Sequence, residues 1–338
     1  MKKLKNTLSR IASIDLGRFS MCIDRVAQES GKGKFLIAAD MINSYLNYGI
    51  GYFDYLTFGF THLAKEKRRT FMNMNKNLEL VRRLNPEKSR YLFENKVEFN
   101  NNFKKFLGRE YIDLRNAAAE DFKEFCLRKN AVFAKKIDDY GGKGIKKIVV
   151  SEISDFGAVY KELIKDGCVL VEEAISQHAE MNRLVESSVN SLRIATLIKD
   201  DKTYPIYSLI RMSDGMKHVD NISSGGMYCP VNDTGTITAE AYQDETGLYY
   251  ERHPFSKIEF KGFKIPFYDE AVEMVVAASK VFPKIRYVGW DVAITDKGPV
   301  LIEANTIPGY DMCQNYRHLG PEKIGIVPKF KEILEDEY

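Results

Sequence analysis

Two apolar runs, 287–295 and 299–305, flank the turn formers Asp296, Lys297 and Gly298, which predicts a β-hairpin. Side chains alternate along a strand, so Gly289, Asp291 and Ala293 share one face, and Val288, Trp290, Val292 and Ile294 share the other. In the second strand Glu303 and Asn305 share a face, with Val300, Ile302 and Ala304 behind them. A turn centred on Lys297 puts Asp291 opposite Glu303. Further strands are expected at 131–136, 146–151, 168–173, 191–198, 204–212 and near 226–231. Helices are expected at 95–107, 119–129, 268–280 and 329–335. Residues 1–90 read as mostly helical and close on the charged stretch 82–90 around Pro86.

The stretch 35–60 comes nearest to a membrane span, but Asp40, Asn43, Asn47 and Asp54 interrupt it, so no transmembrane segment is expected. Its Tyr and Phe residues between Tyr45 and Phe60 suit buried helices, or else a docking surface for a partner or a membrane face. A basic run, 65–69, follows it.

At 338 residues the chain can bury a large core and divide into two or three domains. Its charge is nearly balanced, +3 from 50 basic and 47 acidic residues, which gives no support for nucleic acid as the main partner. Cys22, Cys126, Cys168, Cys229 and Cys313 are scattered without a Cys-x-x-Cys spacing, and read as reduced thiols rather than a disulfide framework or a zinc site. The basic start runs into Asp15, Arg18 and Asp24 with no clean apolar core for a signal peptide. A cytoplasmic location is expected, with the inner membrane surface as the variant of it.

Chemistry concentrates on the hairpin. Asp291 and Glu303 facing each other on an apolar sheet repel. A hard divalent cation reverses that penalty, and Asn305 adds a third oxygen ligand of the kind Mg²⁺ takes. The plainer alternative is a solvated face with three polar residues. Gly289, Ala293 and Ala304 are small and leave room for an ion and its ligand. Asn190 and Arg193 enter an apolar strand, and a buried arginine needs an anionic partner, either a phosphate or carboxylate ligand or an acid of the core. Gly141, Gly142, Lys143 and Gly144 make a loop whose backbone N–H groups can converge on phosphate, or an ordinary turn.

The hairpin resembles the metal-binding core of ATP-grasp ligases. The fuller run GWDVAIT…GPVLIEAN…PG…Q, ending at Pro308, Gly309 and Gln314, is similar to the branch called sugar-transfer-associated ATP-grasp. That resemblance, over roughly residues 90–315, implies that Asp291, Glu303 and Asn305 hold Mg²⁺, with Mn²⁺ as a substitute, against ATP phosphates. It implies that Lys135 reaches the phosphates, although Lys135-Lys136 stands where the family has Lys-Pro and leaves Lys136 as the other option. Lys96 matches the earlier phosphate-binding lysine, against the alternative of a solvated helix residue. The stretch 169–175 resembles the hinge whose Glu172, Glu173, Ala174 and Ile175 meet the adenine edge. Glu180 then binds ribose, with Glu186 as its competitor, and Gln177-His178 matches the branch. Arg211 matches the cation facing the transferred phosphate, Arg193 also steadies an oxyanion, and 223–227 reads as a loop near the acyl site or a plain turn.

The implied fold is α+β, two ATP-grasp subdomains closing on ATP. A helical, aromatic-rich region is expected at 1–90, a smaller subdomain with the glycine-rich loop at 91–173 and a larger one with the metal site at 174–338. The implied activity is carboxylate–amine ligation through an acyl phosphate, with small-molecule carboxylate and amine substrates. A sugar carboxylate amidated by an amino acid or small amine in surface polysaccharide assembly is the expected case. The alternatives are an amino-acid or peptide ligase of glutathione-synthetase type, a phosphotransferase to a hydroxyl, and an ATP-binding scaffold for a glycosyltransferase or lipid-linked sugar.

Overall fold

Antiparallel pairing joins the strands of the computed structural model, which describes residues 15–137, 144–215 and 225–338, into two sheets. The smaller has the order β1-β4-β2-β3, with β1 at Tyr111–Asp113, β2 at Ala131–Lys135, β3 at Lys146–Val149 and β4 at Leu170–Glu173. Phe122 and Phe125 of the helix Ala119–Leu127 and Leu163 of the helix Phe156–Lys165 pack on its Val132 and Val171. The larger has the order β11-β10-β5-β6-β7-β8-β9. Its strands are β5 (Ser191–Lys199), β6 (Lys202–Met212), β7 (Met227–Val231), β8 (Ala241–Gln243), β9 (Leu248–Tyr250), β10 (Tyr287–Thr295) and β11 (Gly298–Asn305). Trp290 anchors its core, fully buried against Phe93 and Phe103, with its indole N–H donated to Thr196 Oγ1 at 2.8 Å.

The expected helix 95–107 breaks at Phe103 into Lys96–Asn102 and Lys104–Leu107, because that ring is drawn into the aromatic cluster around Trp290. Two of the elements absent from the sequence reading, β8 and β9, have three residues each, too few for a period to register. The hairpin forms with Asp291 opposite Glu303 and Gly289 opposite Asn305, but its ladder slips between Asp291 and Val292. Val292 pairs with Leu301, which leaves Ile302 as the extra residue of a bulge. One extra residue reverses the alternation beyond it. Leu301 therefore shares the Trp290 face with Ala304, where Val300 and Ile302 were expected, and Val300 is buried on the other face.

Residues up to Glu79 form a second compact unit with Tyr310–Tyr338, apart from Leu80–Gly309. The sequence division at 90 and 173 is a different partition from these two units. The C-terminal stretch groups with the N-terminal helices because Gln314 acts like a strand partner there. It accepts from the Met72 N–H at 2.8 Å and donates to the Met72 carbonyl at 3.1 Å. Phe58, Phe60 and Phe71 are buried in this unit, with the Phe71 ring 5.1 and 5.5 Å from the other two. No described helix is long and apolar enough to cross a membrane.

Asp54 of this unit accepts from the Tyr310 hydroxyl at 2.9 Å, and burial, reinforced by Asp311, pushes its carboxyl up to about 7. A raised carboxyl favours the fold while protonated, so this contribution is complete below about pH 4 and lost as pH rises through about 7. Asp54→Asn keeps an acceptor for Tyr310. It is expected to flatten that dependence and to add about 2 kcal/mol of stability at pH 8, read from urea midpoints at pH 5 and pH 8.

Candidate active site

Glu172 sits where the two sheets of residues 80–309 meet. Its carboxylate, 2% exposed, accepts from Arg109 at 2.8 Å, from the Asn100 amide at 2.7 Å, and from Lys135. Burial alone would raise this carboxyl, but the charges of Arg109 and Lys135 outweigh it and hold it at about 2. Arg109 also donates to the carbonyls of Leu301 and Ile302, the two residues at the bulge. The bulge thus aims β11 carbonyls at the arginine that grips β4 through Glu172.

Two cavities adjoin at this hub, and both are lined by Lys135, Glu172 and Ile302. The first, about 390 Å³, adds Lys96, Glu303 and Asn305. The second, about 330 Å³, adds Phe133, Glu173, Ala174, Ile175 and Glu186. The second runs along β4 and the residues after it, and charged side chains line both. Together they suit an extended ligand with a planar head and an anionic tail.

Behind the first cavity lies a buried charge cluster. Arg193 stands opposite Asp291 on the neighbouring strand and meets both of its oxygens, at 2.9 Å through Nη2. Arg211 reaches the same carboxylate at 2.8 Å and donates to Ser191 Oγ at 2.9 Å. Of the two partners left open for Arg193, the structure shows the core acid. A side chain at Gly289 would lie 3.3 Å from Arg193 Cδ, so this glycine makes room for the arginine. Burial pushes Asp291 up, yet the two arginines hold it at about 2. Glu303 is exposed, its surface opening into the cavity although protein surrounds it. Burial and then Asp291 raise its carboxyl. Asn305 follows with a buried amide nitrogen that has no hydrogen-bond partner.

Among the described residues no cluster of three or more His, Cys, Asp or Glu side chains could hold a metal. A cation site here therefore needs the Asn305 amide beside Glu303, with Asp291 shared between arginines and ion. The donor set fits such an ion: two carboxylates whose repulsion it would relieve, and the amide oxygen of Asn305 as a third hard ligand.

Lys135 lines both cavities, whereas Lys136 is exposed and lines neither. Lys96 opens its helix beside the first cavity, its Nζ 3.3 Å from the Ile137 carbonyl. Glu186, the competitor, lines the second cavity; Glu180 pairs with Arg183 at 2.7 Å and opens on another surface. Glu173 accepts from Lys129 and from the Glu110 N–H, and His178 caps a short helix by accepting from the Glu180 N–H. Gly141, Gly142 and Lys143, like Ser223 and Ser224, lie outside the described residues; Gly144 takes a positive φ of 72°. Sequence reasoning missed Arg109, Asn100 and Asn85. The buried Asn85 clamps the hairpin, donating to the Tyr287 and Thr306 carbonyls at 2.6 and 2.7 Å.

The family described as sugar-transfer associated ATP-grasp matches residues 75–320. Among solved structures, the chain is similar to D-alanyl-alanine synthetase A from Vibrio cholerae, at 13% identity over 73% of this chain and 61% of that one, with a TM-score of 0.39. It is similar to the ATP-grasp ligase PsnB complexed with a minimal precursor, at 12% identity over 74% and 64% of the two chains, with a TM-score of 0.46. A third is an ADP complex of N5-carboxyaminoimidazole ribonucleotide synthetase, at 11% identity over 65% and 46%, with a TM-score of 0.40. The chain spans less than two thirds of the length of each. No curated protein matches it.

Proposed function

The chain belongs to the sugar-transfer-associated ATP-grasp family, and on that premise we propose that residues 80–309 bind ATP and ligate a carboxylate to an amine. The observation that carries this reading is the pair of cavities meeting at Lys135 and Glu172. Adenine fits the second cavity, along the backbone of 172–175, with Glu186 rather than Glu180 at the ribose. Lys135 and Lys96 then meet the phosphates, and the loop of Gly141, Gly142, Lys143 and Gly144 covers them. Lys135 is paired to Glu172, so phosphate oxygens take over part of a contact that already orients the amine.

Glu303 and Asn305, with Asp291 behind them, would hold Mg²⁺ or Mn²⁺, which supplies charge neutralisation on phosphoryl oxygens. Arg193 and Arg211 stand just behind, and their charge steadies the transferred phosphoryl group and the oxyanion that follows. The substrate carboxylate attacks the γ-phosphorus, ADP leaves, and the amine displaces phosphate from the acyl phosphate. Both steps rest on positioning and charge, with no protein nucleophile. A sugar carboxylate such as a uronic acid, amidated by an amino acid or small amine, is the substrate pair we favour.

Hydroxylamine tests this. With ATP, Mg²⁺ and a pool of uronic acids, the expected result is ADP together with a hydroxamate detected by mass spectrometry. ADP without hydroxamate would replace ligation by phosphoryl transfer to a hydroxyl. Absence of both, with ATP still bound, would favour a scaffold.

A further inference from the structure

The basic run 65–69, which the ligase reading leaves unused, divides its charges in the other compact unit. Lys67 pairs with Glu322 at 2.9 Å, and Arg68 grips Asp40 through two nitrogens at 2.8 and 2.6 Å. Lys65 and Arg69 stand one helical turn apart on the same side and make no ion pair among the described residues. They line a cavity of about 510 Å³ together with Lys76, Asn43, Asn47 and Tyr48. Among the described residues no carboxylate lines it.

Three cations gathered without an acid repel one another, and an anion offsets that cost. Burial and the charge of Lys331 depress the Lys76 amine, as expected for a cation lacking its counter-charge. The Tyr48 hydroxyl adds a neutral donor suited to phosphate oxygens, while the Asn47 amide is held by Asn43 at 2.7 Å and shapes the wall. The volume falls in the range of small-molecule sites.

We propose that this cavity binds a phosphate-bearing polyanion, a diphosphate or a phosphorylated headgroup, at a site separate from the proposed ligase centre. The test is residue-resolved acetylation of the full chain, followed by mass spectrometry, so that anions bound near Lys135 do not enter the reading. One arm adds pyrophosphate. The other adds phosphatidylcholine vesicles with or without phosphatidic acid. Protection of Lys65 and Lys76 is expected, with Arg69→Ser requiring about tenfold more anion for the same protection. Protection by pyrophosphate alone assigns a free ligand, and protection by phosphatidic acid alone assigns a lipid-borne one. Unchanged labelling in both arms overturns the proposal. Protection that Arg69→Ser leaves intact overturns it as well, since that is diffuse screening.

Discussion

Replacing Asp291 by asparagine is expected to destabilise the metal-free protein by about 3 kcal/mol, because it leaves Arg193 and Arg211 buried without their shared carboxylate. The substitution removes one charge and almost no volume, so the loss is electrostatic. Acid provides a second reading. Asp291 is held at about 2, below the usual aspartate value, so its contribution is complete above about pH 4 and is lost as pH falls through about 2. Urea unfolding at pH 7 and at pH 2.5, with chelator present, should show wild type losing stability across that interval. Asp291→Asn should lose less, and what remains is the share of carboxylates such as Glu172 that are held equally low. A loss below about 1 kcal/mol at pH 7 would mean that the arginines have other partners and that Asp291 is chiefly a ligand awaiting its ion.

The sequence carried the hairpin and its facing carboxylates because both are local. Turn chemistry and a two-residue period suffice to put Asp291 across from Glu303. The bulge at Ile302 is equally local but invisible, since an inserted residue changes no composition and β-branched apolar residues suit either face. The partner of Arg193 depended on strand order: only once β10 lies beside β5 does that arginine stand opposite Asp291. Arg109 and Asn85 are solitary polar residues with no spacing to mark them, yet each satisfies carbonyls from distant strands. Motif spacing favoured Glu180, but the short helix Ala179–Asn182 turns it out toward Arg183 and leaves Glu186 at the cavity. Gln314 entered the reading as part of a motif, while in the fold its amide serves the Met72 backbone.

Glu303→Gln is expected to do the opposite of Asp291→Asn, leaving stability equal or slightly higher and lowering Mg²⁺-dependent ADP release by about a hundredfold or more. Glu303 opens into the first cavity, makes no ion pair in the described structure, and is raised by burial and by Asp291. A carboxyl raised this way favours the fold when neutral, so an uncharged amide removes a penalty that grows with pH. The same raised carboxyl must lose its proton before a cation can bind. Turnover at subsaturating Mg²⁺ should therefore rise as pH climbs through the Glu303 titration, and the variant should lose that rise. Kinetics at two Mg²⁺ concentrations across pH 5 to 8, beside urea midpoints for the same samples, separate the two carboxylates. Wild-type turnover in Glu303→Gln would move the cation elsewhere and reduce the hairpin's facing acids to a structural pair. Loss of turnover with unchanged stability would divide them, with Asp291 holding the arginines and Glu303 left for the ion.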